Sequence, residues 1–367
     1  MRKVVQIIYS GMGGHGSVAF SLINADLNAQ WDPLMGFFGI EPLSPAYAEI
    51  CQSRGISYEY FGANSGKSWR AWPRIFRWLT DARPEAIVLH SVTALLPCKV
   101  YAYVRKAPLI VVEHQANALK RPSEWMFSRL AMLLADRVVV LTPAYNQELK
   151  DGLGLFYQAG KVCIIPNGID LLRFRPRVHS ENRGRTVRLG MAARFTGIKR
   201  QDVLIDMMAE LRRREPGIEW RLSLAGDGEV WENVNRTVRA MGLEACIDLP
   251  GQLNENQLIE WYRQIDFYLH ASEGETLSTA LLQAMASALP IVASDVPGIR
   301  SLVSGETNCG VLVERQSSLG FADAVMRLVK EPKIADGLGE SGRQLVEKCY
   351  SQHQMFSKYS SLVANHA

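Results

Sequence analysis

The residues best suited to chemistry follow an apolar run at 267–271. Glu275 lies on a short turn after this run, and Gln283 follows eight residues later in a predicted helix. A carboxylate accepts hydrogen bonds from hydroxyls strongly, whereas an amide accepts and donates more weakly. Glu275 could therefore bind the hydroxyls of a sugar, and Gln283 those of a ribose. Alternatively, Glu273 and Glu275 only favour the helix N-terminus electrostatically.

An earlier segment repeats this arrangement with cations in place of carboxylates. Arg194 and Lys199 follow the apolar run 188–192 and precede a helix predicted at 201–214. A guanidinium can donate two hydrogen bonds to a diphosphate, and an ammonium adds a compact charge. Because a helix N-terminus also attracts phosphates, the two cations could bind a diphosphate and stabilise it as it leaves. Exposed cations on a loop are also common without any ligand.

A glycine-rich loop, GMGGHG at 11–16, follows the first predicted strand and precedes a predicted helix. It matches the GxGxxG pattern, and Glu41 ends the next strand, where dinucleotide-binding folds hold a ribose. Glycines such as Gly13 and Gly14 let the backbone approach a ligand closely, whether that ligand is NAD or a sugar diphosphate. A tight turn without a ligand is the alternative.

His114 ends the predicted strand 109–114. A side chain at the carboxyl end of a parallel strand faces the crevice in which α/β proteins bind ligands. We therefore treat His114 as a candidate site residue, with a structural hydrogen bond to the backbone as the alternative.

The segment 67–78 mixes three tryptophans with four cations at helical spacing. This composition is typical of a helix lying on an anionic membrane surface. A core-facing aromatic stripe with a solvated basic back fits equally well, and Pro73 allows one helix only if the helix begins there. The residues considered for contact with a membrane or acceptor are Trp69, Arg70, Trp72, Arg74 and Arg77.

The elements that must position these residues are short apolar runs alternating with helical patterns. Most runs are continuous and rich in valine and isoleucine, as expected of parallel strands buried on both faces. Their alternation with helices predicts an α/β fold with two Rossmann-like, doubly wound parallel sheets. The predicted strands are 4–9, 35–40, 58–61, 86–90, 109–114, 137–141 and 162–166 in the first half, and 188–192, 221–225, 247–249, 267–270, 291–293 and 310–313 in the second.

A polar stretch at 173–186, punctuated by Pro176 and Gly184, has the composition of a linker. The tail from 351 carries apolar and aromatic residues at helical spacing, which predicts a docked helix. We therefore predict an N-terminal domain at 1–172, a linker at 173–186, a C-terminal domain at 187–350 and a C-terminal helix at 351–367.

Composition excludes several classes of protein. With 367 residues, 47% apolar and 21% charged, the chain suits two globular domains and not a disordered protein. No segment approaches the roughly 18 apolar residues of a membrane span, and residues 1–9 are too short for a signal peptide. The six cysteines lie far apart, which favours reduced thiols in a cytosolic protein. The net charge is +6 over residues 1–175 and −2 over the rest, so the basic half should meet an acidic partner.

In their order and spacing, these residues resemble the retaining glycosyltransferases of family 4, which have the GT-B fold of two Rossmann-like domains facing across a cleft. The resemblance covers essentially the whole chain, and the tail resembles the family's C-terminal helix, which crosses back onto the first domain. The family usually has a second glutamate where this chain has Gln283, and commonly a glycine where it has Thr276. The matching parts are Gly13-Gly14, His114, NGID at 167–170, Ala193-Arg194 with Lys199, AGDG at 225–228, and Glu275 through QAMA at 283–286.

The resemblance implies a role for each matching residue. Arg194 and Lys199 would hold the donor's diphosphate, Glu275 would bind the hydroxyls of its sugar, and the stretch 250–253 would lie near its base. The implied catalytic residues are Arg194, Lys199, Glu275 and His114, and the implied donor-binding residues are Gly13, Gly14, Gly251, Leu253, Thr276, Leu277, Ser278 and Gln283.

We therefore predict a retaining hexosyl- or N-acetylhexosaminyl-transferase. It would move a sugar from a nucleotide-sugar, most simply UDP- or GDP-linked, to a glycan or lipid-linked acceptor of the cell-surface polysaccharide or lipopolysaccharide type. We expect no cofactor, because the nucleotide-sugar is a substrate, and no metal, because cations of the protein can replace one. We expect no nucleic-acid partner, and a location in the cytoplasm at the inner face of the cytoplasmic membrane, in peripheral contact with anionic lipid.

Other functions stay open at this point. An NAD-dependent oxidoreductase would use the loop 11–16 with Glu41, but it leaves Arg194, Lys199 and Glu275 without a role. A nucleotide-sugar-binding protein without turnover is suggested by Gln283. A sugar-nucleotide epimerase shares the fold and is a minor alternative.

Overall fold

The structure is a computed structural model that describes residues 1–11, 13–64, 67–176, 186–304 and 308–364. The chain forms two compact units. The first unit contains Met1–Gly168 together with the C-terminal residues from Gln352, and the second contains Ile169–Ser351.

The first unit is built on a seven-stranded parallel sheet of order β3-β2-β1-β4-β5-β6-β7. Its central strands are apolar at every position and buried on both faces, as β4 (AIVL) and β5 (LIVV) show. The strands are β1 Arg2–Ile8, β2 Trp31–Gly39, β3 Ser57–Gly62, β4 Ala86–Leu89, β5 Leu109–Val112, β6 Arg137–Val140 and β7 Val162–Ile164. The helices of this unit are α1 Gly14–Ala25, α2 Pro45–Ser53, α3 Trp72–Ala82, α4 Leu95–Arg105, α5 Pro122–Leu134, α6 Pro143–Leu153 and α14 Gln352–Ala364.

The second unit repeats the design with a six-stranded parallel sheet of order β10-β9-β8-β11-β12-β13. Its strands are β8 Thr186–Ala192, β9 Glu219–Ala225, β10 Ile247–Gly251, β11 Phe267–His270, β12 Ile291–Ser294 and β13 Gly310–Val313. Its helices are α7 Gln201–Arg214, α8 Trp231–Ala240, α9 Glu255–Gln264, α10 Thr279–Ala286, α11 Pro297–Val303, α12 Ser318–Lys330 and α13 Pro332–Cys349. The predicted fold class, two doubly wound parallel sheets, is confirmed.

The strand order reverses beside the first strand of each sheet, between β1 and β4 and between β8 and β11. At such a reversal the loops after the two neighbouring strands diverge, which opens a crevice at their carboxyl ends. In the second unit, the loops that leave β8 and β11 are those that carry Arg194, Lys199 and Glu275. The topology therefore gathers residues far apart in sequence at one edge of the sheet.

Helix α14 packs within the first unit, and the unit boundary differs from the predicted linker. Arg2 Nη1 donates to the carbonyl of Val363 at 2.8 Å, which attaches the helix beside β1. The second unit already includes Ile169, whose N–H donates to the carbonyl of Tyr350 at 2.8 Å. Phe174, in the predicted linker 173–186, is buried in the second unit because its ring packs on Tyr262. Residues 177–185 of that linker and residues 365–367 of the predicted C-terminal helix lie outside the described residues.

Candidate functional site

In the second unit, the loops after β8 and β11 bond directly to each other. Lys199 and Ser272 form a backbone bridge between them. The N–H of Glu273 also donates to the carbonyl of Ile198 at 2.9 Å. Because these backbone bonds fix the register of the two loops, the side chain of Lys199 lies beside that of Glu275.

The ammonium of Lys199 and the imidazole of His270 meet on one carboxylate oxygen, Oε1 of Glu275. Lys199 Nζ contacts this oxygen directly, and His270 Nε2 lies 2.6 Å from it. The side chains of Lys199 and Glu275 are only 18% and 12% exposed, and that of His270 is buried. Burial lowers the pKa of Lys199 to about 7, while contact with the carboxylate favours its charged form. This arrangement offers a cation and a carboxylate side by side at the edge of the sheet.

A second ion pair ties the same loops together. Arg200, which precedes α7, lies 2.7 Å from Glu273 Oε1 and 2.6 Å from Asp202 Oδ2. Gln316 Nε2 also donates to Glu273 Oε1 at 2.8 Å. Glu273 is therefore used in structural contacts, whereas Glu275 contacts the cation predicted to bind a ligand.

Arg194 is exposed on the loop after β8. Phe195, the next residue, is buried. The backbone of two glycines that follow β9 packs closely against this loop. Gly226 and Gly228 have positive φ angles of 136° and 152°, and a Cβ added to them would lie 2.0 Å from the carbonyl oxygen of Ala193 and 2.4 Å from that of Phe195. The sequence AGDG at 225–228 thus allows the backbone after β9 to pack directly under the segment that carries Arg194.

The turn before α10 is fixed at both ends. Ser278 caps the helix, since its side chain accepts a hydrogen bond from the N–H of Leu281. The side chains of Thr276 and Leu277 are buried. Gly298 in α11 packs against the start of this turn, where an added Cβ would lie 2.0 Å from the carbonyl oxygen of Glu275. Sequence reasoning missed Gly298, because its importance depends on a contact between elements distant in the chain.

The other donor-binding residues predicted in the second unit, Gln283, Gly251 and Leu253, differ in exposure. The amide of Gln283 is buried in α10, 3.3 Å from the hydroxyl of Tyr262. Gly251 ends β10 with a φ of 73°, and its carbonyl accepts from the N–H of Gly226 at 2.8 Å. Leu253 is half-buried. The carboxyl end of β10 therefore lies beside the AGDG segment.

In the first unit, helix α1 begins at Gly14, within the glycine-rich loop, with Gly13 as its cap residue. The N–H of Gly13 donates to the hydroxyl of Tyr47 at 3.0 Å, and this hydroxyl lies 3.1 Å from the carbonyl of Gly13. A Cβ added at Gly16 would lie 1.9 Å from the same hydroxyl. A glycine at this position therefore allows the side chain of Tyr47 to pack against the loop. Met12 of this loop lies outside the described residues. The carboxylate of Glu41 accepts a hydrogen bond from Tyr9 at 3.1 Å.

His114 lies two residues beyond the end of β5 and belongs to a cluster of histidines. Its Nε2 is 2.8 Å from Nδ1 of His90, and the two rings are stacked with centroids 5.1 Å apart. The ring of His15 is 6.5 Å away. Burial lowers the pKa of His114 to about 3, so its ring is neutral at physiological pH. His90 and His15 could have been found from sequence, because His90 directly follows β4, which pairs with both β1 and β5, and His15 lies in the glycine-rich loop after β1.

The segment 67–78 forms a short 3-10 turn, Ser68–Ala71, followed by α3 from Trp72. Trp72 donates from Nε1 to the carbonyl of Thr93 at 3.1 Å and packs on the core. Trp69 is 56% exposed, and the guanidinium of Arg70 lies 5.7 Å from its ring centroid. The core-facing interpretation therefore holds for Trp72, while the exposed face presents Trp69 and cations. The exposed arginines of this segment are Arg70, Arg74 and Arg77. Among the described residues, we find no helix that combines the length and the apolar character needed to cross a bilayer.

Two family models match the chain, one in each half. The model of Glycosyltransferase Family 4 matches residues 13–173, and that of Glycosyl transferases group 1 matches residues 186–331. Together they cover every strand of the two sheets except β1, and the loops that carry the candidate site residues.

Curated relatives agree with these matches. The chain is 30% identical over 282 residues to an exopolysaccharide phosphotransferase of Streptomyces coelicolor, which covers 74% of this chain and 29% of that protein. It is 29% identical over 217 residues to a D-inositol 3-phosphate glycosyltransferase of Pseudarthrobacter chlorophenolicus, covering 56% of this chain and 50% of that protein. A protein of the same name from Kineococcus radiotolerans is 27% identical over 71% of this chain and 62% of its own length. The chain thus spans less than two thirds of the length of these relatives.

Solved structures show the same fold at low sequence identity. The structure of Anabaena HepE in complex with UDP and glucose superposes with a TM-score of 0.82 at 16% identity, covering 99% of this chain and 100% of that one. A mutant of S. aureus TarM in complex with fondaparinux, alpha-GlcNAc-glycerol and UDP gives a TM-score of 0.81 at 12% identity, covering 99% and 100%. Both family models and the shared fold lead to one conclusion: the chain belongs to the family 4 type of glycosyltransferases, with the GT-B fold.

Proposed function

We propose that this protein is a retaining glycosyltransferase that moves a hexosyl or N-acetylhexosaminyl unit from a UDP- or GDP-sugar to a glycan or lipid-linked acceptor. The observation that carries the proposal is the contact between Lys199 and Glu275 at the carboxyl ends of β8 and β11. A nucleotide-sugar needs a cation for its diphosphate and an acceptor of hydrogen bonds for its sugar hydroxyls. The two side chains supply both in one place.

The same residues suit the chemistry of glycosyl transfer. The transition state resembles an oxocarbenium ion, and negative charge accumulates on the departing diphosphate. We propose that Lys199 and Arg194, with the N–H groups that begin α10, stabilise that charge. Because these cations belong to the protein, we propose that the reaction requires no added metal or cofactor. Retention of configuration is part of the proposal and is tested by the anomeric form of the product.

Residues of the first unit are proposed to contact a substrate sugar. The neutral ring of His114 can donate or accept a hydrogen bond without the cost of burying a charge. Gly13 and Gly14 present backbone where a side chain would block a close approach. We propose this role for the three residues because the family model that matches residues 13–173 includes them.

We propose that the acceptor is lipid-linked or a cell-surface glycan, and that the protein works at the inner face of the cytoplasmic membrane. Residues 1–175 carry a net charge of +6, which suits an anionic surface. The exposed side chain of Trp69 and the arginines beside it supply an apolar group flanked by cations. The relative named for exopolysaccharide chemistry fits a glycan of this kind.

A thermal-shift panel tests the proposed donor. UDP-glucose, UDP-N-acetylglucosamine, GDP-mannose and ADP-glucose are compared at equal concentration, with NAD as the control for the oxidoreductase alternative. We expect one of the nucleotide-sugars to raise the melting temperature and NAD to leave it unchanged. Release of nucleoside diphosphate from the stabilising sugar would separate an enzyme from a binding protein. Stabilisation by NAD alone would overturn the proposal.

A further inference from the structure

We propose that His270 is a positioning residue for Glu275, so that it governs binding of the donor sugar and not binding of the nucleoside diphosphate. The inference rests on the proposed function, since it assumes that Glu275 accepts hydrogen bonds from a sugar. His270 is the last residue of β11 and lies in the core of the second unit with no exposed surface.

A chain of polar groups runs from β8 to Glu275 through this histidine. The hydroxyl of Tyr268 lies 3.2 Å from the carbonyl oxygen of Ala192 and 3.2 Å from His270 Nδ1. The other ring nitrogen, Nε2, lies 2.6 Å from Glu275 Oε1. Each end of the imidazole is thus held, and its ring stacks on that of Tyr268 with centroids 5.9 Å apart.

These contacts determine which tautomer is present. A carboxylate can only accept, so His270 Nε2 carries a proton and donates it to Glu275. Burial, reinforced by the charge of Lys199, lowers the pKa of His270 well below its ordinary value, so the ring holds no second proton. Nδ1 is then an acceptor, and it shares the single proton of the Tyr268 hydroxyl with the carbonyl oxygen of Ala192.

The two donors on Glu275 share one oxygen, which leaves the other for a ligand. Lys199 Nζ and His270 Nε2 both contact Oε1, and they lie 3.5 Å from each other. A carboxylate held through Oε1 presents Oε2 to a sugar hydroxyl in a fixed direction. Since a diphosphate would draw Lys199 toward itself, His270 is the donor that stays on Glu275 in the loaded site. Loss of His270 should therefore disturb the sugar contact and spare the diphosphate contact.

Two substitutions of similar size separate these effects. His270→Gln places an amide nitrogen close to the position of Nε2 and keeps the donor to Glu275. His270→Asn places its amide near Nδ1 and loses that donor. Each variant is measured with UDP-glucose and UDP, or with GDP-mannose and GDP if the panel selects guanosine. The readouts are kcat/KM for the nucleotide-sugar and Kd for the free diphosphate.

We expect His270→Asn to lower kcat/KM for the nucleotide-sugar by about tenfold or more while Kd for the diphosphate changes by less than about threefold. His270→Gln should stay within about threefold of the wild type in both quantities. Equal loss in the two variants, or a parallel loss of diphosphate affinity, would overturn the inference. Circular dichroism melts of both variants report on folding.

Nitrogen-15 NMR of the wild-type protein labelled on histidine gives a second test that needs no substrate. It distinguishes a neutral ring protonated on Nε2 from one protonated on Nδ1 and from an imidazolium. We expect the Nε2–H form for His270 at neutral pH, and either other form would overturn the inference. If that form is found but no nucleotide-sugar binds, the proposed function fails while the geometry of the histidine stands.

Discussion

The ammonium of Lys199 is in contact with the carboxylate of Glu275, although 76 positions separate the two residues in the chain. The contact follows from the topology, because their strands, β8 and β11, are neighbours in the sheet. It is mostly buried, so removing one partner leaves the other as a poorly solvated charge. The pair is therefore both the centre of the proposed donor site and a point at which substitutions should be costly.

Loss of either cation should reduce turnover. We expect Lys199→Ala and Arg194→Ala each to lower kcat for the nucleotide-sugar at least about tenfold, because a donor aimed at developing negative charge is worth a few kcal/mol. Initial rates of nucleoside diphosphate release measure this. Arg263→Ala, on the exposed surface of α9, is the matched control and should leave the rate unchanged. Near-normal turnover in Lys199→Ala or Arg194→Ala would contradict the diphosphate assignment.

Donor affinity should depend on pH through Lys199. Its pKa is lowered to about 7 by burial, and a bound diphosphate raises that pKa because it favours the charged form. Below pH 7 the ammonium is charged before and after binding, so Kd is constant. At higher pH, binding must take up a proton, so Kd should rise by up to about tenfold per pH unit until the pKa of the complex is reached.

Calorimetry with a nucleotide-sugar between about pH 6 and pH 9 checks this dependence, since the diphosphate diester does not titrate in that range. Lys199→Arg is the control, because a guanidinium stays charged throughout. Its Kd should be nearly constant over the same range. A wild-type Kd that does not change above neutral pH would show that Lys199 does not pair with the diphosphate.

The turn that carries Glu275 should depend on a glycine in another helix. A Cβ at Gly298 would lie 2.0 Å from the carbonyl oxygen of Glu275 and 2.7 Å from that of Thr276, so the turn must move. We expect Gly298→Ala to lower kcat/KM about tenfold, since small displacements of catalytic groups are costly. Gly337→Ala is the control, because an added Cβ there meets nothing within 4 Å. That change should preserve activity and stabilise the helix by roughly 0.5–1 kcal/mol. Equal activity of the two variants would contradict the proposal that Gly298 is needed to position the turn that carries Glu275.

Membrane contact should require the exposed arginines beside Trp69. We expect the protein to float with anionic vesicles in preference to neutral ones. Because each arginine near an anionic surface contributes about 1 kcal/mol, Arg70→Gln with Arg77→Gln should weaken binding roughly tenfold or more. Arg239→Gln with Arg263→Gln in the second unit removes the same charge and should have little effect. Equal binding to both kinds of vesicle would remove the membrane proposal.

The strands were predictable from sequence because parallel strands buried on both faces are continuous apolar runs. Each of the thirteen predicted strands overlaps an observed one, with ends that differ by a few residues. The boundary between the units was less predictable. Phe174 stands in a stretch that is polar by composition, yet it is buried because Tyr262, distant in sequence, covers it. Composition does not report such a contact.

Those residues of the proposed site that directly follow a strand were predictable from sequence, because the carboxyl end of a parallel strand lies at the ligand-binding edge of the sheet. Arg194, Lys199 and Glu275 each follow a predicted strand, and the structure shows that these strands, β8 and β11, are neighbours in the sheet. His270 was not found, because a histidine within an apolar strand is typical of a satisfied core residue, and its relation to Glu275 depends on the path of the following turn. Trp72 shows the opposite case, since helical spacing alone does not distinguish a core face from an exposed one.

Isothermal titration of the wild type and of Lys199→Ala with the same nucleotide-sugar tests the central claim most directly. We predict that UDP-glucose or another nucleotide-sugar of the thermal-shift panel binds the wild type, and that it binds Lys199→Ala at least about tenfold more weakly while the variant stays folded. Equal affinity in the two proteins would contradict the claim that Lys199 binds the diphosphate beside Glu275.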